Sequence, residues 1–299
     1  MKQNIIPFIQ RAMEISGHLS LPNLSNSVRV AKLRYIQSIG ETPEYRNPDT
    51  LAHDFLPAPL RWLSMLQAGM QLGKLRRYPF YYYLIARTRY YDQVFIDAIY
   101  GNINYIINIG SGTDTRAYRF AAELEQRGIK VLECDQAQSI AVKQALAEQK
   151  WRTDHVTYAS IDLNDRLWPE LESRLAKIPA SVLVMLEGVS GYVDDESFDR
   201  FLNFLATRLK VGSLIAYDYK IRSTSDDLEF DSIHKRLFRL PATKSDVIAY
   251  HESLGYKVQH VELSSELLSR LLPNLAISDT RPFTEDGLVI LAVTKKGCD

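Results

Sequence analysis

A short apolar run followed by a glycine turn constrains the fold of this chain most. Residues Tyr105 to Ile109 are apolar and rich in β-branched side chains, which predicts a buried strand of a parallel sheet. Gly110 and Gly112 follow in a loop, and Asp114 and Thr115 can cap the amides of the helix predicted next. Glycine permits a ligand to approach the backbone, because no Cβ stands in the way. This succession is typical of a nucleotide-binding unit.

A second apolar run ends on an acid. Residues Lys130 to Asp135 predict the next strand, and an acid at that strand end commonly accepts hydrogen bonds from a ribose diol. Dinucleotide enzymes usually carry a third glycine where this loop has Thr115. Asp114 would disfavour a phosphate at the helix N-terminus but suits a cationic ligand such as the sulfonium cofactor S-adenosylmethionine. An oxidoreductase is therefore disfavoured.

Residues 108–119, Asn-Ile-Gly-Ser-Gly-Thr-Asp-Thr-Arg-Ala-Tyr-Arg, resemble the cofactor loop of the leucine carboxyl methyltransferase-like family. That family includes protein phosphatase methyltransferases and bacterial O-methyltransferases that decorate polyketides and related natural products. The resemblance extends from about Val28 to Val293 and is densest from Ala86 to Tyr192. It implies S-adenosyl-L-methionine as cofactor and favours the bacterial natural-product branch.

The resemblance also implies roles for individual residues. Arg34, or Lys32 as the alternative, and Arg87 would bind the cofactor's carboxylate, for which a guanidinium fork is well suited. Asp162 and Leu163 would lie beside the adenine, and Glu187 beside the ammonium group. The cofactor-binding residues predicted in this way are Arg34, Arg87, Gly110, Ser111, Gly112, Asp114, Asp135, Asp162, Leu163 and Glu187.

Each of these local patterns has a structural alternative. Asp162 could simply start a turn, and a carboxylate such as Glu187 after a buried strand is often a helix cap. The stretch around Arg87 could equally be a surface helix with Arg89 and Asp92 exposed.

The predicted fold is an α/β domain with the seven-stranded, Rossmann-like sheet of a class I methyltransferase. The chain has 299 residues, of which 46% are hydrophobic and 24% charged, so one elaborated domain over 1–299 is favoured. Residues 1–100 predict a helical cap interrupted by prolines, and 101–299 predict the sheet-containing core. Many charges and little apolar periodicity predict a lid insertion at about 220–245.

The acceptor side is predicted from aromatic residues. The run from Tyr78 to Ile85 could be core or could line a substrate cavity, and both interpretations stand. Tyr82 and Tyr192 are the predicted substrate-binding residues. A carboxylate acceptor is already ionised near pH 7, whereas an alcohol benefits from a general base. His234, in the predicted lid, is the predicted catalytic base; the other candidates are His53 and His251, then His18, His155 and His260.

Charge and cysteine content limit the partners. A net charge of zero gives no electrostatic reason to expect nucleic acid or an anionic membrane, so a small-molecule acceptor is favoured. Cys134 and Cys298 cannot form a disulfide framework, and no metal-type spacing surrounds them. The N-terminus lacks a signal-peptide core and no apolar stretch reaches the ~20 residues of a membrane helix, which predicts a cytoplasmic protein. The sequence leaves the oligomeric state open, with a homodimer as one arrangement.

The predicted function is an S-adenosylmethionine-dependent O-methyltransferase acting on a small-molecule hydroxyl, in polyketide or related natural-product biosynthesis. One alternative is a carboxyl methyltransferase acting on a protein C-terminal leucine or a small acid. A second, of another class, is a non-catalytic S-adenosylmethionine-binding protein.

Overall fold

The structure is a computed structural model that describes residues 25–222, 237–275 and 283–294. Helices precede the sheet and later alternate with its strands. Those before the sheet are α1 (Asn26–Gly40), α2 (Ala58–Met70), α3 (Leu72–Leu75) and α4 (Pro79–Tyr100). Those within the sheet-containing part are α5 (Arg116–Arg119), α6 (Ala121–Arg127), α7 (Ala137–Lys150), α8 (Pro169–Leu175), α9 (Asp195–Arg208), α10 (Lys244–Ser253) and α11 (Ser264–Leu271).

The described strands form one mixed sheet. They are β1 (Tyr105–Ile109), β2 (Lys130–Asp135), β3 (Val156–Ser160), β4 (Val182–Leu186), β5 (Leu214–Ile221), β6 (Arg239–Leu240), β7 (Tyr256–Leu263) and β8 (Asp286–Val293). The order is β3-β2-β1-β4-β5-β8-β7, and β6 pairs with β5. The first five strands run parallel, while β8 lies antiparallel between β5 and β7. This is the predicted class I methyltransferase sheet with one addition, the two-residue β6.

Helices cover both faces of the sheet, which explains its apolar central strands. Successive side chains of a strand point to opposite faces. Ile107 and Ile109 therefore pack in one core with α8, α9 and α10, whereas Ile106 packs in a second core with α4 and α11. Every residue of β4 is buried. The parallel arrangement brings the carboxyl ends of β1, β2, β4 and β5 together at one edge.

The described part of the segment before the sheet is mainly helical, with turns over 41–51 between α1 and α2. Ser25 begins α1 by accepting a hydrogen bond from the Val28 N–H at 3.4 Å. Pro79 occupies the first turn of α4, where its missing N–H costs no hydrogen bond. α4 has 22 residues and is buried along most of its length, so it anchors the helical cap to the sheet.

The ends of the predicted lid are regular structure. Lys220 belongs to β5, Arg239 and Leu240 form β6, and α10 starts at Lys244. The predicted lid over 220–245 therefore includes residues that belong to strands and to a helix. Pairing within the sheet imposes strand geometry even on segments that lack a clear apolar pattern. Within the described ranges, no helix is long and apolar enough to cross a membrane.

Candidate active site

A cavity of about 660 Å³ opens at the carboxyl ends of the parallel strands. It brings together the predicted cofactor-binding residues from six separate stretches of chain. Those that line it are Arg34, Arg87, Gly110, Ser111, Gly112, Asp114, Asp135, Asp162, Leu163 and Glu187. Arg34, and not Lys32, is thus the basic residue of α1 at the cavity.

The glycine loop has a backbone shape that only glycine adopts easily. Gly110 has φ +64°, and a Cβ there would lie 2.4 Å from a methyl carbon of Val189. The Gly112 N–H donates to Oδ2 of Asp135 at 2.7 Å, and the Gln136 N–H donates to Oδ1 at 2.7 Å. The loop therefore fixes the orientation of the carboxylate that the sequence assigns to the ribose.

Asp162 is a turn residue that also lines the cavity. Its Oδ1 accepts from the Asn164 N–H at 2.9 Å, which makes it a turn residue. Its Oδ2 accepts from the side-chain amide of Gln136 at 3.0 Å, and both Asp162 and Leu163 line the cavity. The turn positions the acid at the strand end instead of competing with a binding role.

Three guanidinium groups surround Glu187. Arg34 and Arg116 donate to its two oxygens at 2.6 and 2.7 Å, and Nε of Arg87 lies 3.2 Å away. Burial alone would raise the pKa of Glu187, but the arginines outweigh it and lower the pKa to about 2. Glu187 is therefore ionised at neutral pH, and it holds Arg34 and Arg87 at the cavity wall.

Arg116 is the centre of this network, and sequence reasoning gave it no role. It is 1% exposed and donates to Asp114 at 2.7 Å and to Asp92 at 2.8 Å, as well as to Glu187. Arg119 binds Asp92 too, at 2.6 Å. Asp92 is consequently buried, and the alternative that places it on an exposed helix surface is wrong.

Asp114, which the sequence places at the mouth of the next helix as a group suited to a cationic ligand, is already paired within the protein. Its carboxylate accepts hydrogen bonds from the Arg116 backbone and side chain and from Asn108 at 3.0 Å. Burial would raise its pKa, but Arg116 outweighs that effect and holds the pKa below the usual range. Asp114 thus binds both the first backbone N–H of α5 and the side chain of Arg116, so its charge is already compensated before any cationic ligand binds.

Comparison with known proteins assigns the chain to a family. The family model for leucine carboxyl methyltransferase matches residues 27–206. The chain belongs to the leucine carboxyl methyltransferase family. The predicted family is therefore confirmed, and so is the predicted cofactor, S-adenosyl-L-methionine, for which the relatives described next are named.

Similar curated proteins come from mycobacteria. A protein of Mycolicibacterium paratuberculosis, provisionally named an S-adenosyl-L-methionine-dependent methyltransferase, is 28% identical over 62% of this chain and 64% of its own length. A protein of Mycobacterium avium with the same provisional name is 27% identical over 71% of this chain and 72% of its own. The chain thus spans slightly less than two thirds of the first relative.

Solved structures of methyltransferases resemble the chain more distantly. Magnesium protoporphyrin IX methyltransferase from Synechocystis has a TM-score of 0.45 and 12% identity over 90% of this chain and 95% of its own. Human N-acetylserotonin methyltransferase has a TM-score of 0.41 and 12% identity over 90% of this chain and 65% of its own. The strand order established above assigns the fold independently.

The cavity of this family member suits S-adenosyl-L-methionine. Ser111 Oγ is buried at the glycine loop with no hydrogen-bond partner among the described residues, and Arg34 Nε is another such atom. Both belong to residues that line the cavity, so a polar ligand there can satisfy them. In that arrangement Asp135 would bind the ribose of the cofactor. Asp162 and Leu163 would lie beside its adenine, and Arg34 would bind its carboxylate.

Of the two predicted substrate-binding tyrosines, only Tyr192 lines the cavity. Its hydroxyl accepts a hydrogen bond from the Asn26 side chain at 3.2 Å, across the mouth. Tyr82 instead packs against Tyr45 and Tyr81 in the core, so its prediction is wrong. The helical period of α4 turns Phe80, two residues earlier, toward the cavity.

The described histidines lie away from the cavity. His53, His155, His251 and His260 do not line it. His251 is buried beside Tyr217, whose hydroxyl lies 2.5 Å from its Nε2, and burial lowers its pKa to about 4. His234 and His18 lie outside the described residues, so the predicted base stays a prediction.

Carboxylates occupy the end of the cavity beyond Glu187, and sequence reasoning missed them. Asp218 on β5 accepts from the Gly188 N–H at 2.6 Å and from Tyr91 at 3.1 Å. Asp286 begins β8, directly opposite Lys220, with 2.6 Å between its Oδ1 and the Lys220 Nζ. The available signal was a carboxylate within one apolar strand and another at the start of the next apolar strand, and only the strand order shows that the two lie at the same cavity.

Proposed function

We propose that this protein is an S-adenosylmethionine-dependent O-methyltransferase whose acceptor is the hydroxyl of a small molecule. One observation carries the choice of a hydroxyl. Seven acidic and four basic side chains line the cavity among the described residues, and Asp218 and Asp286 lie at the end away from the glycine loop. An acceptor carboxylate would meet like charge there, whereas a hydroxyl can donate a hydrogen bond to either aspartate.

Asp286 is the better placed proton acceptor of the two. Both oxygens of Asp218 are engaged, one by Gly188 and Tyr91 and the other by Arg87 at 3.3 Å. Oδ1 of Asp286 is buried, lies beside Lys220 and accepts no hydrogen bond from another described group. In the proposal Asp286 takes the hydroxyl proton, and the ammonium group of Lys220 stabilises the developing negative charge on the acceptor oxygen.

The remaining contribution of the chain is positioning. Bound S-adenosyl-L-methionine supplies an already activated methyl group, so alignment and exclusion of water account for most of the required catalysis. The Asn26–Tyr192 hydrogen bond spans the cavity mouth, and Phe80 supplies an aromatic wall. These groups would hold a flat, hydroxylated acceptor against the methyl donor.

The family description supports a second candidate, methylation of a carboxylate. Lys220 and Arg239 line the acceptor end and could bind a carboxylate, which needs no base near pH 7. A protein C-terminal leucine or a small acid would be the acceptor. We rank it second because three acidic side chains, Asp218, Glu285 and Asp286, line this end of the cavity against two cations. The natural-product role rests on the resemblance to the bacterial branch of the family.

The chemistry of the product separates the two candidates. Purified protein is incubated with methyl-labelled S-adenosylmethionine and a panel of phenols, alcohols, small acids and a leucine-terminated peptide. Mild alkali hydrolyses methyl esters and leaves methyl ethers intact. The proposal expects alkali-stable label on a hydroxylated compound. Alkali-labile label on an acid or on the peptide would contradict it and support carboxyl methylation.

A further inference from the structure

A buried ion pair lies beneath the glycine loop and outside the cavity. The Lys143 Nζ is 2.5 Å from Oε2 of Glu133, and both side chains are at most 1% exposed. Tyr118 donates to the same carboxylate at 3.1 Å. Glu133 lies on β2 and Lys143 on α7, so one strand-helix unit supplies both charges. Burying a lysine and a glutamate is costly even when they are paired, which indicates a use beyond mutual neutralisation.

The lysine makes one further bond, to the glycine loop. Its Nζ donates to the carbonyl oxygen of Ser111 at 3.0 Å. A trans peptide is planar, so the Ser111 carbonyl and the Gly112 N–H point in opposite directions. By holding the carbonyl toward the interior, Lys143 turns the Gly112 N–H outward to Oδ2 of Asp135, 2.7 Å away.

We propose that Lys143 and Glu133 are positioning residues that set the affinity for the cofactor through the Ser111–Gly112 peptide. Glu133 fixes the lysine, the lysine fixes the plane of the peptide, and the peptide fixes the carboxylate of Asp135. Asp135 is the group that would accept hydrogen bonds from the ribose. The proposal concerns the cofactor alone, so it does not depend on the identity of the acceptor.

Paired replacement distinguishes positioning from a contribution to stability. Glu133→Gln with Lys143→Met removes both buried charges at similar side-chain volume, a change that folded proteins often tolerate. The same change removes the donor that orients the Ser111 carbonyl. A purely structural pair would therefore change the thermal midpoint and leave the affinity of the folded protein unaltered.

The test is calorimetric titration of the full chain with S-adenosylhomocysteine at about pH 8. The double variant is expected to unfold within a few degrees of wild type and to bind about tenfold more weakly. Lys150→Met is the matched control, because Lys150 lies on the same helix and pairs with Asp54 away from the loop. It should bind like wild type. Should the double variant not fold, Lys143→Met alone is measured in the same way.

A double-mutant cycle with Asp135→Asn tests whether Lys143 and Glu133 act on cofactor binding through Asp135. If Lys143 and Glu133 act through Asp135, replacing both of them in the Asp135→Asn protein should weaken cofactor binding little further. Fully additive losses, an unchanged affinity in the folded double variant, or failure of both Lys143 variants to fold would each overturn the proposal. A wild-type protein that does not bind S-adenosylhomocysteine would refute the cofactor assignment instead, a result recognised before any variant is compared.

Discussion

At the residue scale, buried charges pair mainly with one another. The sequence placed Arg87 and Glu187 at the site, and the structure brings both to the cavity. The sequence alone could not show that Glu187 binds Arg34, Arg87 and Arg116, since these residues lie far apart in the chain and meet only in the folded protein. Their function at the cavity therefore depends on a network in which Arg116 is the shared cation.

Replacing Arg116 should be among the most destabilising single changes in the protein. Arg116→Leu leaves Asp92, Asp114 and Glu187 buried without their shared partner, which costs about 3 to 5 kcal/mol. Urea unfolding measures the change. Arg152→Leu is the control, because Arg152 pairs with Glu125 at the surface and should change the unfolding free energy by less than ~1 kcal/mol. Equal effects of the two variants would contradict the network.

Glu133 should make stability depend on pH in a defined window. Burial raises its pKa to about 7, against the opposing effects of Lys143 and the Tyr118 hydroxyl, while Asp114 adds to the rise. The folded state therefore retains a proton that the unfolded chain loses near pH 4.5. This contribution to the free energy of unfolding is full below pH 4.5 and is lost as the pH rises to about 7.

The measurement is the difference between wild type and Glu133→Gln across that window. Glutamine does not titrate, so the advantage of wild type over the variant should shrink as the pH rises from about 5 to about 7. Denaturation at several pH values gives both curves. Parallel curves would show that Glu133 has an ordinary pKa in the folded protein.

At the scale of elements, the two strands around the glycine loop were predicted at their observed bounds, whereas the irregular segments were not. β1 and β2 begin and end as predicted, because their apolar runs are bounded by a glycine and an acid. β6 was missed, since two residues carry no periodicity and depend on pairing with β5. Tyr82 was misplaced because the aromatic run of α4 does not reveal which helical face meets the cavity.

The glycine loop permits a matched pair of substitutions. Gly110→Ala and Gly128→Ala both place a Cβ at positive φ, which costs about 1 to 2 kcal/mol. At Gly110 the added carbon also collides with Val189, whereas at Gly128 nothing lies within 4 Å. We expect Gly110→Ala to lose cofactor affinity and Gly128→Ala to keep it, as measured by titration with S-adenosylhomocysteine. Equal affinities would show that the loop shape is not required for binding.

At the scale of the whole molecule, the sheet order and the family establish the class of the protein. The order of motifs along the chain predicted both, because most of the predicted site residues follow a strand of a parallel sheet. Arg34 and Arg87, on α1 and α4, are the exceptions. The acceptor end was not predictable in this way. It is built from β5, β8 and Lys220 opposite Asp286, a pairing that exists only once the antiparallel β8 lies beside β5. Local sequence motifs therefore specify the residues of the proposed cofactor end, whereas the overall topology brings together those of the proposed acceptor end.

Titration of the purified protein with S-adenosylmethionine, S-adenosylhomocysteine and NAD, repeated on Asp135→Ala, tests the central claim most directly. The account predicts binding of both sulfur compounds, no binding of NAD, and a large loss of affinity in the variant, because Asp135 is the acid that the loop orients toward the cavity. Absence of binding by either sulfur compound, or equal binding by wild type and variant, would contradict the assignment of this cavity as the cofactor site.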